Sequence, residues 1–448
     1  MHDMLLYIDP GTGSMLFTIL IGVISAGIYG LRKALVKARF ILGGGKQEKS
    51  GVEKERIAIF SDSKRYWNVF EPICDELERR EVPASYLTAS PDDPALNKTY
   101  SHVKCAFIGE GNKAFAYLNM LKSNIVLSTT PGLDVYQWKR SRDVSWYAHV
   151  FHALGDATMY RMFGLDYYDA VLLAGPCQTE QIRALENLRK LPEKELVTVG
   201  LPHLDAMQER LQSAPALPPH PTTVLLAPSW GASAILSRYG GRIIESLLKT
   251  GYHVIVRPHP QSFESESDLM ERLMKEFPAS DTLEWNRDND NFDVLRRSDI
   301  MISDFSGVIY DFALIFDRPV IYTEPAYDKG PYDAWWLDED LWTFNVLPHI
   351  GAQLDMAALD KLKEIIDDCL NNPRFEQGRK QARDEGWAHR GEAAVRIVDY
   401  LLSKEAELLA QTSSEKSDAA SAPDEDGDEK ILHAKHAPSP KGSPDGTD

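Results

Sequence analysis

Ser298 to Tyr322 reads SDIMISDFSGVIYDFALIFDRPVIY, and the succession of patterns within it decides the fold. Ile300-Met301-Ile302 is a short apolar run fit for a buried parallel strand. Ser303-Asp304-Phe305-Ser306-Gly307 is a small polar turn with helix N-cap chemistry at Asp304 or Ser306. Val308 to Phe316 is apolar nearly all round, the pattern of a buried helix. Asp317-Arg318-Pro319 breaks it, and Val320-Ile321-Tyr322 begins another strand. This strand, turn, helix and strand place the turn at the C-terminal edge of a parallel sheet. Amides and hydroxyls there, backed by the positive end of a helix, make a phosphate seat. Taken alone, the turn is equally well explained by Ser303, Asp304 and Ser306 capping a structural helix.

The same alternation extends to both sides. Upstream, Arg56–Ser61, Lys104–Ile108, Ile125–Thr129, Trp146–Phe151, Ala170–Ala174 and Leu196–Val199 read as strands. Helical stretches at 66–80, 113–121 and 178–190 lie among them, a doubly wound α/β pattern. The proline-rich run SAPALPPHP at 213–221 breaks the pattern. A second series then starts, with strands at 223–227, 253–256 and 282–285 and helices at 240–250 and 267–277. Helices at 356–371 and 374–403 close it. Two doubly wound domains, 55–215 and 220–404, with a cleft between them are expected.

The ends differ in composition. Ser14 to Leu31 is an uncharged apolar run reaching roughly 27 Å as a helix, enough to span a hydrocarbon core. Arg32, Lys33, Lys37 and Arg39 follow it, while Asp3 and Asp9 precede it. The positive-inside rule then predicts a single-pass inner-membrane anchor with the bulk of the chain cytoplasmic, residues 1–50 forming anchor and linker. A buried N-terminal helix is the competing reading. Residues 405–448, rich in Ser, Ala, Asp, Glu and Pro, read as a disordered acidic tail.

With 67 acidic against 49 basic residues, the net charge of −18 argues against a nucleic-acid binder. Cys74, Cys105, Cys177 and Cys369 are scattered, with no CxxC pair to suggest zinc or a disulfide framework. Asp288-Asn289-Asp290 matches a DxD metal motif, but such short matches are common in an acidic chain; it reads as a loop, with no metal or cofactor expected.

Three polar segments at strand ends converge on one cleft. His149 and His152 close the first, and spacing puts them on opposite sides of the strand. His152 falls where strand gives way to loop and can accept a hydroxyl proton. Arg257-Pro258-His259-Pro260 is the second, a stiff loop offering one guanidinium and one imidazole to developing phosphate charge. The turn at 303–307 is the third. Tyr160, Arg161 and Tyr310 are either substrate contacts or core and surface groups. Asp311, a lone acid in an apolar helix, either binds a ribose hydroxyl or caps buried amides.

Arg257–Pro260 together with Ser303–Ala313 resembles the CDP-glycerol glycerophosphotransferase family, which includes the teichoic acid polymerases. Gly200-Leu201-Pro202-His203-Leu204-Asp205 is similar to its Gly-x-x-x-x-Asp segment, and Phe151-His152-Ala153 to its aromatic-His-Gly motif. The resemblance covers roughly 56–403. It implies a GT-B fold and transfer of glycerol phosphate, or a related polyol phosphate, from a CDP-activated donor to a lipid-linked or polymeric envelope acceptor. It further implies His152 as acceptor-side base and His259 at the pyrophosphate. Arg257, Ser303, Asp304, Ser306, Gly307 and Asp311 would hold the donor. Ala153-Leu154-Gly155 stands where the family has Gly-Thr-Pro, and Gly307 where a second Ser is common, which leaves the acceptor open. A nucleotide-sugar glycosyltransferase on the same fold and a non-catalytic membrane scaffold are the alternatives.

Overall fold

Residues 54–288, 290–304, 306–323 and 328–421 are described by the computed structural model. The 14–31 run and residues 422–448 lie outside them. Among the described residues, no helix is long and apolar enough to cross a membrane.

Strands β1 (Glu55–Ser61), β2 (Ala84–Thr88), β3 (Val103–Phe107), β4 (Ser123–Ser128), β5 (Val144–Val150), β6 (Ala170–Leu173) and β7 (Glu195–Thr198) form one sheet. Its order is β3-β2-β1-β4-β5-β6-β7. The second sheet contains β8 (Thr223–Leu226), β9 (His253–Val256), β10 (Leu283–Trp285), β11 (Ile300–Ser303), β12 (Val320–Thr323) and β13 (Gly351–Leu354). It runs β10-β9-β8-β11-β12-β13 with parallel ladders, Met301 opposite both Val320 and Leu225. Helices cover both faces, so the central strands are apolar throughout, as Ile300-Met301-Ile302 is, each residue 0 % exposed. Strands β2 and β13 carry no sequence signal. ASYLT mixes hydroxyls into a fully buried strand, and GAQL is too short to establish a period.

The helices that matter below are α1 (Trp67–Arg79), α2 (Asn112–Leu118), α3 (Thr179–Arg189), α4 (Pro202–Ser213), α5 (Val308–Ile315), α6 (Arg374–Gly386) and α7 (Ala393–Ser421). Helix α5 follows β11 through the turn at 304–307 and ends where Asp317 takes a left-handed conformation, φ 52°. A short polar side chain tolerates that geometry, and Arg379 and Arg383 bind its carboxylate.

The C-terminal region departs from expectation in three ways. The helix predicted over 374–403 is two helices, parted at Trp387–Glu392, where His389 and Gly391 have φ of 49° and 82°. The second, α7, continues to Ser421, so residues 405–421 are helical rather than a disordered tail. Helix α7 also leaves the second lobe, burying Ile397, Val398 and Leu401 in the first lobe's core beside Ile57, Phe70 and Ile125. Asp205 fixes the crossing by accepting hydrogen bonds from Trp387 Nε1 and the Ala393 amide, both at 2.9 Å. Asp205→Ala strands both donors, which costs about 2–3 kcal/mol at ordinary desolvation penalties. A fall of several degrees in Tm by calorimetry is the expected result.

Two further carboxylates join the lobes. Asp156, in the loop after β5, accepts from the Trp342 and Thr343 amides, each at 2.8 Å. Asp333 accepts from the Phe163 amide at 2.7 Å and from Arg189 at 2.6 Å.

Candidate active site

In both sheets the strand order reverses beside the first strand, between β1 and β4 and between β8 and β11. Loops at the C-terminal ends of these strands border the crevice where ligands of doubly wound sheets bind. The 304–307 turn follows β11, while His152 follows β5 and Arg257 and His259 follow β9, the strands next to β4 and β8.

His152 sits two residues past β5. Its Nδ1 lies 3.0 Å from the Thr129 hydroxyl, and its ring is 4.6 Å from that of Tyr66. Burial, and secondarily the neighbouring His203, pushes its imidazole down to about 4, so it is neutral at physiological pH. His149 points the other way, 0 % exposed, with Nε2 3.1 Å from the Tyr160 hydroxyl. Burial holds it well below the ordinary histidine range. It is a core residue, and so is Tyr310, whose hydroxyl donates to the Thr343 carbonyl. Arg161 forms an isolated bridge with Tyr332.

In the second lobe, Arg257 donates from Nη1 to the Asn286 side chain at 3.1 Å and to the Asp288 carbonyl at 2.7 Å. Burial lowers its guanidinium, with Asp288 and Asp290 opposing. His259 Nδ1 accepts from the Gln261 amide at 3.1 Å, which leaves the proton of the neutral ring on Nε2. Its imidazole is lowered by burial first, then by the charges of Arg65 and Arg257. Trp230, 48 % exposed, has its ring 6.3 Å away.

The turn divides into two layers. Ser303 and Asp304 are buried, and their side chains face protein, contrary to the expectation that they line the phosphates. The Ser303 hydroxyl donates to the Ala227 carbonyl at 2.7 Å. Asp304 accepts from the Ser229 amide at 2.9 Å and the Ile235 amide at 3.0 Å, shaping the loop after β8. Ser306 and Gly307 stay accessible at the start of α5, where first-turn amides have no helical acceptor. A Cβ placed on Gly307 would meet nothing within 4 Å. Asp311 also has a protein partner, His203 Nε2 at 3.4 Å, joining α5 to the start of α4. It faces the other lobe and, among the described residues, caps no amide.

Consecutive residues Arg65 and Tyr66 connect the two halves. Tyr66 packs on His152, and the Arg65 charge reaches His259. Just before them, Asp62 is exposed to solvent. Desolvation by the protein around it raises its carboxyl. The sequence reading did not single out Asp62, Arg65, Tyr66, Thr129, His203 or Trp230. The position of Asp62 and Trp230 just past the first strand of each sheet was the usable signal. Thr129 and His203 carry none, since their partners lie 23 and 108 residues away. Among the described residues, no His, Cys, Asp and Glu group has the arrangement of a metal site.

A model of the CDP-Glycerol:Poly(glycerophosphate) glycerophosphotransferase family matches residues 165–402. No curated protein matches the chain. Among solved structures, a Listeria monocytogenes chain assigned as a UDP-N-acetylglucosamine 2-epimerase superposes with TM-score 0.52 at 15% identity, over 79% of this chain and 97% of that one. The UDP-GlcNAc 2-epimerase of Neisseria meningitidis, bound to UDP-GlcNAc, gives 0.51 at 13% identity over 78% and 99%. At such identities the likeness is one of fold: two parallel-sheet α/β lobes of GT-B type.

Proposed function

This chain belongs to the CDP-glycerol:poly(glycerophosphate) glycerophosphotransferase family, and on that premise we propose that it moves glycerol phosphate, or a related polyol phosphate, from a CDP-activated donor to a hydroxyl of a lipid-linked or polymeric envelope acceptor. The observation that carries this reading is the pairing of His152, held at a strand end of one lobe by Thr129 and Tyr66, with the Arg257–His259 loop and the accessible start of α5 at strand ends of the other. One side suits proton removal and the other suits phosphate.

His152 takes the proton of the acceptor hydroxyl on Nε2, while Nδ1–H donates to Thr129. The acceptor oxygen attacks the glycerol-bearing phosphorus, the phosphoanhydride bond breaks, and CMP leaves with the electron pair. Arg257, the His259 Nε2–H and the amides opening α5 stabilise the charge on the phosphates. Ser303 and Asp304 act through the backbone they hold. Ser306 and Gly307 meet the donor, and Asp311 positions His203. The enzyme works on the cytoplasmic face of the membrane, held by the 14–31 segment.

The test offers full-length protein CDP-glycerol, CDP-ribitol and UDP-sugars with a membrane acceptor fraction and measures released nucleotide. CMP release from a CDP-polyol supports the reading. UDP release alone, or no release from any donor, overturns it. Gly307 provides a second check. Its φ of −57° is helical and the space beyond it is open, so alanine is accommodated and stabilises by about 0.4–1 kcal/mol. We expect Gly307→Ala to keep or raise Tm yet raise the donor KM several-fold. An unchanged KM would mean the donor does not approach this turn.

A further inference from the structure

The first lobe carries a face that the proposed reaction does not use. Helix α2 lies on the sheet with Ala114 and Leu118 buried, and turns Lys113 and Tyr117 outward, with Met120 beyond its end. Tyr117 is 44 % exposed and Met120 74 %. The loop after β4 is fastened alongside. Asn119 donates to the Gln137 carbonyl at 3.1 Å and accepts from the Lys139 amide at 2.7 Å, bringing up Tyr136, 51 % exposed. Large apolar groups clustered in this way, amid charge, mark an interaction surface.

The charge there is opposite to that of the chain. Between Lys104 and Arg142 stand six basic residues against Glu110 and Asp134, in a protein of net charge −18. Arg140 is taken up by Asp169. Lys104, Lys113, Lys122 and Arg142 are exposed and form no ion pair among the described residues.

Position narrows the partner. Lys122 directly precedes β4, and Asn124 in that strand donates to Glu405, which also binds Arg56 at the start of β1. The face therefore begins at the sheet end where the chain arrives from residues 1–53. Only twelve residues, 43–54, separate β1 from the apolar and basic N-terminal segment, a reach of at most about 40 Å. A negatively charged bilayer is the partner that answers apolar groups, uncompensated lysines and this tether together.

We propose that the α2 face, with Tyr117, Met120 and Tyr136 entering the headgroup region and Lys104, Lys113, Lys122 and Arg142 around them, docks the first lobe on an anionic membrane surface. The tether supplies proximity, and this face sets how the lobe lies.

Full-length protein reconstituted in phosphatidylcholine vesicles, with or without one-third phosphatidylglycerol and carrying a photoactivatable lipid, tests this by mass-spectrometric mapping of cross-links. Cross-links within 104–142 are expected, at least fivefold more abundant with phosphatidylglycerol. Lys113→Glu/Lys122→Glu/Arg142→Glu should lower them by at least tenfold, since each basic group near such a surface contributes a several-fold preference. Met120→Ser should lower them without changing their salt dependence. Nucleotide release in detergent, unchanged in these variants, certifies their folding. Cross-links confined to residues 1–53, or equally abundant after charge reversal, overturn the proposal. So does protection of 104–142 by a co-purifying protein.

Discussion

His152→Ala is expected to lower kcat by roughly 10²–10⁴, the usual worth of a positioned general base, while the protein still binds donor and unfolds near the wild-type temperature. The site supplies the reason. A neutral imidazole is the form able to take a proton, and burial keeps His152 neutral down to about pH 4. In the kcat/KM profile its acid limb therefore has a midpoint near 4, with activity retained above and lost as pH falls through that value. A free histidine would place the limb near 6.5, and a midpoint there would remove His152 from the role. Stability follows the same sign. The unfolded chain binds this proton at about 6.5 and the folded chain near 4, so the stabilisation is complete above pH 6.5 and lost as pH falls through 4. Thr129→Val separates position from basicity, because it frees the Nδ1 tautomer but leaves the ring in place. A tenfold or greater loss in kcat with little change in donor KM is the expected pattern.

The second large effect is at His259. Its Nδ1 is occupied by the Gln261 amide and its imidazole is lowered by burial and by Arg65 and Arg257, so it acts as a neutral Nε2–H donor. Loss of one preorganised donor to developing charge costs about 10²–10³ in kcat, and His259→Ala should show it. A neutral donor does not titrate near neutrality, so the deficit should be equal at pH 6 and pH 8. His259→Gln, which can still present an N–H, should recover part of it. A deficit that shrinks as pH rises would instead identify a cationic imidazole and require a different account of the charge stabilisation.

The sequence made the second lobe easy to read and the site only half so. Ile300-Met301-Ile302, the capped turn and Val308–Ile315 are local patterns, and each became the expected element. The arrangement of hydrogen bonds in that turn was hidden because it is not local. Asp304 looks like an N-cap, yet its acceptors serve amides 75 and 69 residues upstream. Asp311 stood out in sequence, but its partner did not, because His203 belongs to the other lobe. Likewise, the split between α6 and α7 depends on Asp205 holding Trp387 and Ala393, a contact made only after both lobes exist.

Helix α7 imposes an order on synthesis. Ile397, Val398 and Leu401 belong to the same core as β1, whose first residues leave the ribosome some 340 residues earlier. Each of the three contributes roughly 1.5–3 kcal/mol by burial, and Arg56 waits for Glu405 as its ion-pair partner. A nascent chain stopped at the proline-rich run thus carries a lobe whose strands are made but whose closing helix has not yet been translated. Domain-by-domain maturation, the habit of many two-lobed proteins, is denied to this one: the lobe begun first is the last to be sealed.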